Sequence, residues 1–395
     1  MNRIVVTGLG VISAIGNSVA ENRVSLMEGK CGISPLQLFA SKFSGVLPVG
    51  EIKISDEALK EKLQAREPGV TRTTLLALHA IKEALADSGL TNSLVSAADT
   101  ALVGATTVGG MCLTDEMYTD SKRDEPGSVY LSSYDFGATN MYLQKYYSIA
   151  GPVNTINTAC SSSANAIMYG ARLIRSGRAR RAIVGGFDSL AKFTINGFNA
   201  LHILSAEQCT PFDENRKGLN LGEGAAFLVL EKEENVVGKK IYASLGGYSN
   251  ANDAFHASSL SDNGDGPYKA MKDALASAKL NPSQIDFINA HGTGTENNDK
   301  VESVTMLRLF EKVPAFASTK ANTGHTLGAA GAIEALYCIL NLAGQELYPG
   351  LHFKNPIAAE GLVPFQSYKK MPLTHIMSNS FGFGGNCSSL IFSKA

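Results

Sequence analysis

Three residues have types and settings that could do covalent chemistry. Cys160 stands in Asn157-Thr-Ala-Cys-Ser-Ser-Ser163, with small residues before it and a helical pattern after it. That pattern predicts a cysteine at a helix N-terminus, where free N–H groups and the helix dipole lower a thiol's pKa and favour the thiolate. A backbone N–H at the same turn can hold a developing oxyanion. The same spelling also fits a small buried residue packing a helix start, because free cysteines are among the most buried residue types. His291 lies in Asn289-Ala-His-Gly-Thr-Gly-Thr295, just past an apolar strand. His325 lies in Thr319-Lys-Ala-Asn-Thr-Gly-His-Thr-Leu-Gly328, at the predicted start of a helix. Each is a histidine in a glycine-rich turn at an element end, where backbones approach closely and reactive groups concentrate. A hydrogen-bonded turn histidine is the alternative for either one. As zinc ligands the pair lacks a third and fourth partner at any recognisable spacing. Near the end, Asn379-Ser-Phe-Gly-Phe-Gly-Gly385 carries glycines that free backbone N–H groups to face a ligand, or that make a tight turn into the last strand.

The elements that must position these residues alternate between strand-length apolar runs and helix-length amphipathic ones, the α/β pattern. Strands are predicted at Arg3–Thr7, Thr100–Gly104, Ala182–Gly185 and Ala225–Leu230. Helices are predicted at Ser18–Glu28 behind an Asn17 or Ser18 cap, at Arg72–Asp87 stopping at Gly89, and at Ser161–Arg175. A charged connector, Glu231–Lys240, interrupts the chain, and the pattern then restarts. A strand at Lys240–Leu245 runs into Gly246-Gly247 as Arg3–Thr7 runs into Gly8. A helix at Pro267–Ala278, a strand at Ile285–Asn289 and a helix rich in small residues at His325–Leu342 follow. Each half closes with a glycine cluster and an apolar strand ending in lysine, Gly222-Glu-Gly224 to Lys232 and Gly384-Gly385 to Lys394. The repeated order implies a duplication, with halves 1–238 and 239–395. The cluster Thr7-Gly-Leu-Gly-Val-Ile-Ser13 imitates a dinucleotide fingerprint, but Ser13 stands where the third glycine belongs, which argues against NAD.

Composition narrows the classes further. The chain has 395 residues, 44% hydrophobic and 18% charged, enough for a large core. A net charge of -1 supplies no global field toward nucleic acid or anionic lipid, so an anionic partner must meet a local patch. The cysteines at 31, 112, 160, 209, 338 and 387 form no C-x-x-C pair, which disfavours a disulfide framework or structural zinc and fits a reducing cytoplasm. No uninterrupted apolar run of about 18 residues suggests a membrane span. Ser18-Val19-Ala20 loosely resembles a signal-cleavage site, but Gly8, Gly10 and Gly16 break the apolar run, and a buried first strand and turn is expected instead.

Taken together, Val6-Thr-Gly-Leu-Gly-Val-Ile-Ser13, Asn157–Ser162, Pro211-Phe-Asp213, Gly222-Glu-Gly-Ala225, His291-Gly-Thr-Gly-Thr295, Lys320 with Thr323-Gly-His325, and Phe381-Gly-Phe-Gly-Gly385 span nearly the whole chain. In this order they resemble the β-ketoacyl-acyl carrier protein synthases of the type I/II class, condensing enzymes of the thiolase superfamily. The resemblance implies an α/β fold of two similar halves in five layers, αβαβα, with the active site between the halves. It implies decarboxylative Claisen condensation. Cys160 carries the acyl group. The backbone N–H groups of Cys160 and Phe383 hold the oxyanion. His291 and His325 stabilise the enolate from malonyl-carrier. Lys320 and Glu334 order the site, and Asp299 and Glu302 fit supporting positions. Val108, in Thr107-Val-Gly-Gly110, and Phe198 fall at the acyl pocket. Lys62, Arg66 and Arg72 fall at the carrier-docking region. Arg172, Arg175, Arg178, Arg180 and Arg181 are more numerous, but at a helix C-terminus they read as a solvated face. The implied partner is acyl carrier protein, with a homodimer, or a heterodimer with a related subunit. No cofactor, metal, nucleic acid or membrane span is implied.

Some positions depart from the family pattern. Glu296 stands where proline is frequent, followed by Asn297-Asn298, and the closing loop reads Gly384-Gly385-Asn386-Cys387 where Gly-Gly-Thr-Asn is frequent. These spellings look more like synthases of bacterial aryl polyene or related pigment pathways. A chain-length-factor subunit would lack the nucleophile. A degradative thiolase would carry a second cysteine before the closing glycines, whereas Cys387 follows them. A type III synthase would have Asn in place of one histidine.

Overall fold

The structure, a computed structural model, describes residues 3–123 and 127–395. Ten strands build one continuous mixed sheet: β1 (Ile4–Ser13), β2 (Thr100–Ala105), β3 (Val153–Ile156), β4 (Arg181–Asp188), β5 (Gly224–Lys232), β6 (Ala243–Asn252), β7 (Phe287–Asn289), β8 (Ala315–Ala317), β9 (His375–Phe381) and β10 (Asn386–Lys394). The helices that matter for the site are α1 (Val19–Met27), α2 (Asp56–Leu63), α3 (Arg72–Ser88), α4 (Ser162–Arg175), α5 (Lys192–Ala200), α6 (Asp265–Ala278), α7 (Glu296–Leu309) and α8 (Ala330–Gly344).

The strand order is β8-β7-β9-β10-β6-β1-β5-β4-β2-β3. From the centre outward each half repeats one sequence of pairings. In the first, β5 is antiparallel to β1, β4 antiparallel to β5, and β2 and β3 parallel beyond. In the second, β10 is antiparallel to β6, β9 antiparallel to β10, and β7 and β8 parallel beyond. The halves join where Val5 and Val6 of β1 pair with Ser244 and Ala243 of β6. Residues 233–242 connect β5 to β6.

Five layers result. Outermost, α3 packs on the first sheet through Leu75, Leu78 and Ile81 against Ile183, Phe227 and Val229. On the far side α6 packs Ala270, Met271 and Ala274 against Ile288, Met377 and Ile391. Between the sheets lie α4 and α8, whose Ile167, Ile174, Ile333 and Leu336 meet residues of both. A helix covered by sheets on two sides must be apolar all round, which is why α8 reads AGAIEALYCILNLAG. Residues Leu327–Gly344 are long and apolar enough to cross a membrane, but 89% of that stretch is buried inside the protein.

The first strand differs from expectation. It does not end at Thr7 but runs through Gly8 and Gly10 to Ser13. These glycines serve close packing rather than a turn. A Cβ at Gly8 would lie 2.4 Å from the Ala84 carbonyl oxygen of α3, and one at Gly10 would lie 2.0 Å from that of Ala80. Likewise β6 runs through Gly246 and Gly247, where a Cβ on Gly247 would lie 2.5 Å from the Ala274 oxygen of α6. Gly247 against α6 is thus the counterpart of Gly8 against α3, each just after a bulge in its strand pairing.

The site residues sit at strand carboxyl ends, where open α/β sheets bind ligands. Cys160 follows β3, His291 follows β7, Lys320 and His325 follow β8, and Phe383 follows β9. The long helix predicted from His325 begins later, at Ala330, after a 3₁₀ turn at Leu327–Ala329.

Candidate active site

Cys160 lies two residues before α4, whose N-cap is Ser161. Ala159, just before it, has φ 54°, a left-handed backbone uncommon for a residue with a Cβ. The turn is held by Ser162 Oγ, which accepts from the Thr158 N–H at 2.8 Å. Asn386 Oδ1 reaches in from the closing loop, accepting from Ser161 Oγ, Asn165 Nδ2 and Asn250 Nδ2. The backbone N–H groups of Phe383 and of Cys160 itself lie near enough to favour the charged form of the sulfur. This convergence depends on Gly382, where a Cβ would lie 3.1 Å from the Cys160 nitrogen and 2.9 Å from the Thr158 oxygen.

The expected resting thiolate is not what this setting favours. Burial pushes the Cys160 thiol up to about 11, against the pull of the Lys320 charge and the two N–H groups. The closed site removes water from the sulfur, and desolvation outweighs the helix start. Cys160 rests as a thiol.

Lys320 is 2% exposed and ion-paired at 2.5 Å with Glu334, itself 3% exposed. Its ammonium also donates to the His291 carbonyl and, at 3.2 Å, to His291 Nδ1. An ammonium has only protons to offer, so His291 Nδ1 is the acceptor and Nε2 carries the hydrogen. The Leu327 N–H donates to His325 Nδ1 at 3.2 Å, which imposes the same tautomer there. Burial and the nearby Lys320 charge hold both imidazoles well below the ordinary histidine range, so both are neutral at physiological pH. The rings meet edge to face, centroids 5.4 Å apart. His325 Nε2 is buried and has no partner among the described residues, and the ring lines the cavity.

Two carboxylates on α7 shape the His291 turn. Glu302 accepts from the N–H groups of His291 and Gly292, both at 2.9 Å, and burial pushes its carboxyl up to about 7. Asp299 accepts from the N–H groups of Phe212, Thr293 and Gly294. Asp299, Glu302 and Glu334 therefore brace the loops that carry His291 and Lys320.

Cys160 Sγ and a ring nitrogen of each histidine lie within 4.8 Å of one another, so the fold supplies a third donor that spacing did not reveal. The donor set nevertheless fits a metal poorly. A ligating imidazole gives its other N–H to an acceptor, whereas here both Nδ1 atoms accept and both Nε2 atoms hold protons. The arrangement presents hydrogen-bond donors toward an oxygen.

Cys160 and both histidines open onto a cavity of about 550 Å³, whose walls include Thr293, Thr295 and Phe383. Phe198, on α5, also lines it and stacks on Phe383 with centroids 5.8 Å apart. Val108 is fully buried, in the apolar cluster of Leu190, Ile195 and Leu219 against which Phe198 packs. It shapes the cavity through that cluster rather than as an open wall.

Of the three residues expected at the docking surface, Lys62 and Arg66 are exposed, at and just beyond the end of α2. Arg72 is not available. It is buried, bidentate to Glu223 at 2.6 and 2.9 Å, paired with Asp56, and bonded to the Ile52 and Ile54 carbonyls. A cation at a helix N-terminus opposes the dipole, and that conflict is the signal that Arg72 has a private partner. In the second basic cluster Arg172 and Arg175 lie over the Tyr248 ring and are exposed, as are Arg178 and Arg180, but Arg181 is buried beside Asp99 and Glu231. Asp188 was not foreseen, although a polar residue at the end of an apolar strand is a visible signal; Gly382 and Asn386 stood out in the closing loop, but not for these contacts with the Cys160 turn.

Two like halves of one mixed sheet, five strands each, with Cys160, His291 and His325 beyond the strand ends, place the chain in the thiolase-like fold class. The family model described as Beta-ketoacyl synthase, N-terminal domain, matches residues 1–235, and its C-terminal domain counterpart matches residues 242–354. The chain belongs to the beta-ketoacyl synthase family. It is 33% identical to 3-oxoacyl-acyl-carrier-protein synthase 1 of Haemophilus influenzae, over 100% of this chain and 99% of that one. It is 31% identical to 3-oxoacyl-acyl-carrier-protein synthase 2 of Coxiella burnetii, over 99% and 98%. Among solved structures, the ishigamide ketosynthase/chain length factor superposes with TM-score 0.94 at 28% identity, covering 100% of this chain and 99% of that one. The ketosynthase ApeO in complex with its chain length factor ApeC, from Xenorhabdus doucetiae, gives 0.88 at 30%, over 100% and 98%.

Proposed function

We propose that this protein is a β-ketoacyl-acyl carrier protein synthase that joins an acyl group held on Cys160 to malonyl-acyl carrier protein. The observation that carries the reading is the pair of neutral imidazoles, each fixed as the Nε2–H tautomer, that share one cavity with Cys160.

In the first half-reaction the Cys160 sulfur attacks the thioester carbon of acyl-carrier. A carbon–sulfur bond forms, the carrier's bond breaks, and the Cys160 proton ends on the departing carrier thiol. The tetrahedral oxyanion is held by the N–H groups of Cys160 and Phe383, and one such donor is worth roughly 10²–10³ in rate. Malonyl-carrier then places its thioester oxygen against the Nε2–H groups of His291 and His325. As the bond to the carboxylate breaks, carbon dioxide leaves and the electron pair becomes an enolate held by those donors. The enolate carbon attacks the acyl-Cys160 carbonyl, the sulfur leaves as a thiolate, and it takes a proton from solvent. The products are 3-oxoacyl-carrier, two carbons longer, carbon dioxide and free Cys160. This reaction needs no metal or redox cofactor, because the carrier's phosphopantetheine brings both substrates.

The finer reading concerns partners. Solved relatives include a type II acyl-carrier protein in complex with its ketosynthase, and a ketosynthase with its chain length factor. This chain, with Cys160 and both histidines, takes the catalytic part of such a pair or forms a homodimer, and Lys62 and Arg66 meet the acidic carrier. The same chemistry serves fatty acid and polyene elongation. A panel of acyl-carriers with malonyl-carrier, read for product length and unsaturation, tests both the activity and the pathway. Carbon dioxide and a lengthened 3-oxoacyl product are expected. Carbon dioxide release unchanged in folded His325→Ala would contradict the role of that residue.

A further inference from the structure

The carboxylate of Asp188 belongs to neither the nucleophile nor the histidine turns, yet it is fully buried. It ends β4 in the first half. Oδ1 accepts from Thr106 Oγ1 at 2.5 Å and from the Val108 N–H at 2.9 Å. Oδ2 accepts from Thr107 Oγ1 at 2.7 Å, and the Thr107 N–H is shared between both oxygens. One further donor comes from the other half, where the Gly328 N–H meets Oδ2 at 2.7 Å.

That last bond bears on the chemistry. Gly328 follows Leu327, and the Leu327 N–H donates to His325 Nδ1. Leu327 has φ 52°, a left-handed backbone that a branched aliphatic residue adopts only when its surroundings impose it. Two successive N–H groups thus point in separate directions, one to the His325 ring and one to Asp188. The approach is tight: a Cβ on Gly328 would lie 2.8 Å from Asp188 Oδ2 and 3.0 Å from the Thr107 nitrogen. The Leu327 side chain joins the apolar cluster that holds Val108 and against which Phe198 packs.

We propose that Asp188 is a positioning residue that ties the Thr107–Val108 turn of one half to the Leu327–Gly328 turn of the other, and so fixes the orientation and tautomer of His325. One carboxylate then sets both the apolar cluster around Val108 and the enolate-binding N–H. The inference rests on the proposed condensing activity for its kinetic readout, but not for its spectroscopic one.

Asp188→Asn tests it with little change of shape. An amide has one acceptor oxygen, so either Gly328 or the Thr106–Val108 side faces an N–H₂ group. Gly328→Ala tests it from the opposite half by displacing the carboxylate. Three readouts are taken on the intact protein: transfer of the acyl group to Cys160 by mass spectrometry, carbon dioxide release from malonyl-carrier, and the ¹⁵N imidazole signals of labelled protein, with His325 assigned by His325→Gln. In both variants carbon dioxide release should fall roughly 10- to 100-fold, the loss typical when a partner that orients a metal-bound imidazole is removed and taken as the scale for this metal-free one. Acyl transfer should fall by less. The His325 Nδ1 signal should move from a pure acceptor toward a tautomer mixture. Unchanged His325 signals in the variants, or equal losses in acyl transfer and decarboxylation, would overturn the proposal. If the unaltered protein releases no carbon dioxide, the condensing activity fails, while the imidazole signals still decide the role of Asp188.

Discussion

Replacing Lys320 by Met removes one member of a buried ion pair and leaves the other. Glu334 then keeps a carboxylate in the central layer with no ammonium, and Glu334 Oε2 already has no partner among the described residues. Breaking a buried pair from one side costs about 3–5 kcal/mol. With an unfolding entropy near 2.1 cal/mol/K per residue over 395 residues, the melting temperature should fall by about 4–6 °C. The loss should depend on pH. Burial pushes the Glu334 carboxyl up even with Lys320 present, and further without it. A group whose folded pKa lies above its unfolded value, near 4.3, has its full stabilising share below that value and loses it as pH rises through the folded pKa. The deficit should therefore be smaller at pH 5 than at pH 8. Adding Glu334→Leu should recover most of the stability, because an apolar pair of similar size is often neutral or better. It should not recover decarboxylation, since His291 Nδ1 has lost its donor. Calorimetry of both variants at the two pH values, with carbon dioxide release, checks each step. A single variant that melts within a degree of the parent at pH 8, or a double variant no more stable than the single, would mean that Lys320 does not offset a buried Glu334 charge.

Alkylation of Cys160 by iodoacetamide should accelerate up to and beyond pH 9, since burial pushes the thiol up to about 11; a rate already level at pH 8 would contradict a resting thiol. Both histidines are held well below their usual range, so decarboxylation should not decline between pH 7.5 and about 6, the ordinary titration region of histidine; a midpoint near 6.5 would contradict neutral, dehydrated imidazoles. Lys62→Glu with Arg66→Glu should raise KM for the carrier several-fold with little change in kcat, as loss of an exposed complementary charge does. Arg72→Ala should instead destabilise by about 3–5 kcal/mol, measured by denaturant unfolding, because it strands Glu223.

The repeated order of elements across Glu231–Lys240 was legible, and α1 and α3 were legible from Ser18 and Gly89, whose caps the structure contains. The first strand was misread because Gly8 and Gly10 look alike whether they make a turn or admit a helix. Only the carbonyls of Ala80 and Ala84, some seventy residues away, distinguish the two. The loop spellings around Cys160, His291 and His325 marked them as reactive, but not their protonation. The thiol depends on how completely the folded site excludes water. The imidazole tautomers depend on Lys320 and on the Leu327 N–H. Arg72 was taken for surface because its partner Glu223 lies 151 positions onward. Asp188 was visible as a polar residue ending an apolar strand, but not its role, since its partner Gly328 lies 140 positions onward.

In the proposed reaction Cys160 carries the acyl chain, and incubation with acyl-carrier followed by peptide mass spectrometry reads that directly. One acyl adduct is expected, on the peptide containing Cys160, that disappears when malonyl-carrier is added and is absent from Cys160→Ala. An adduct on another residue, or elongation of malonyl-carrier by Cys160→Ala, would contradict it.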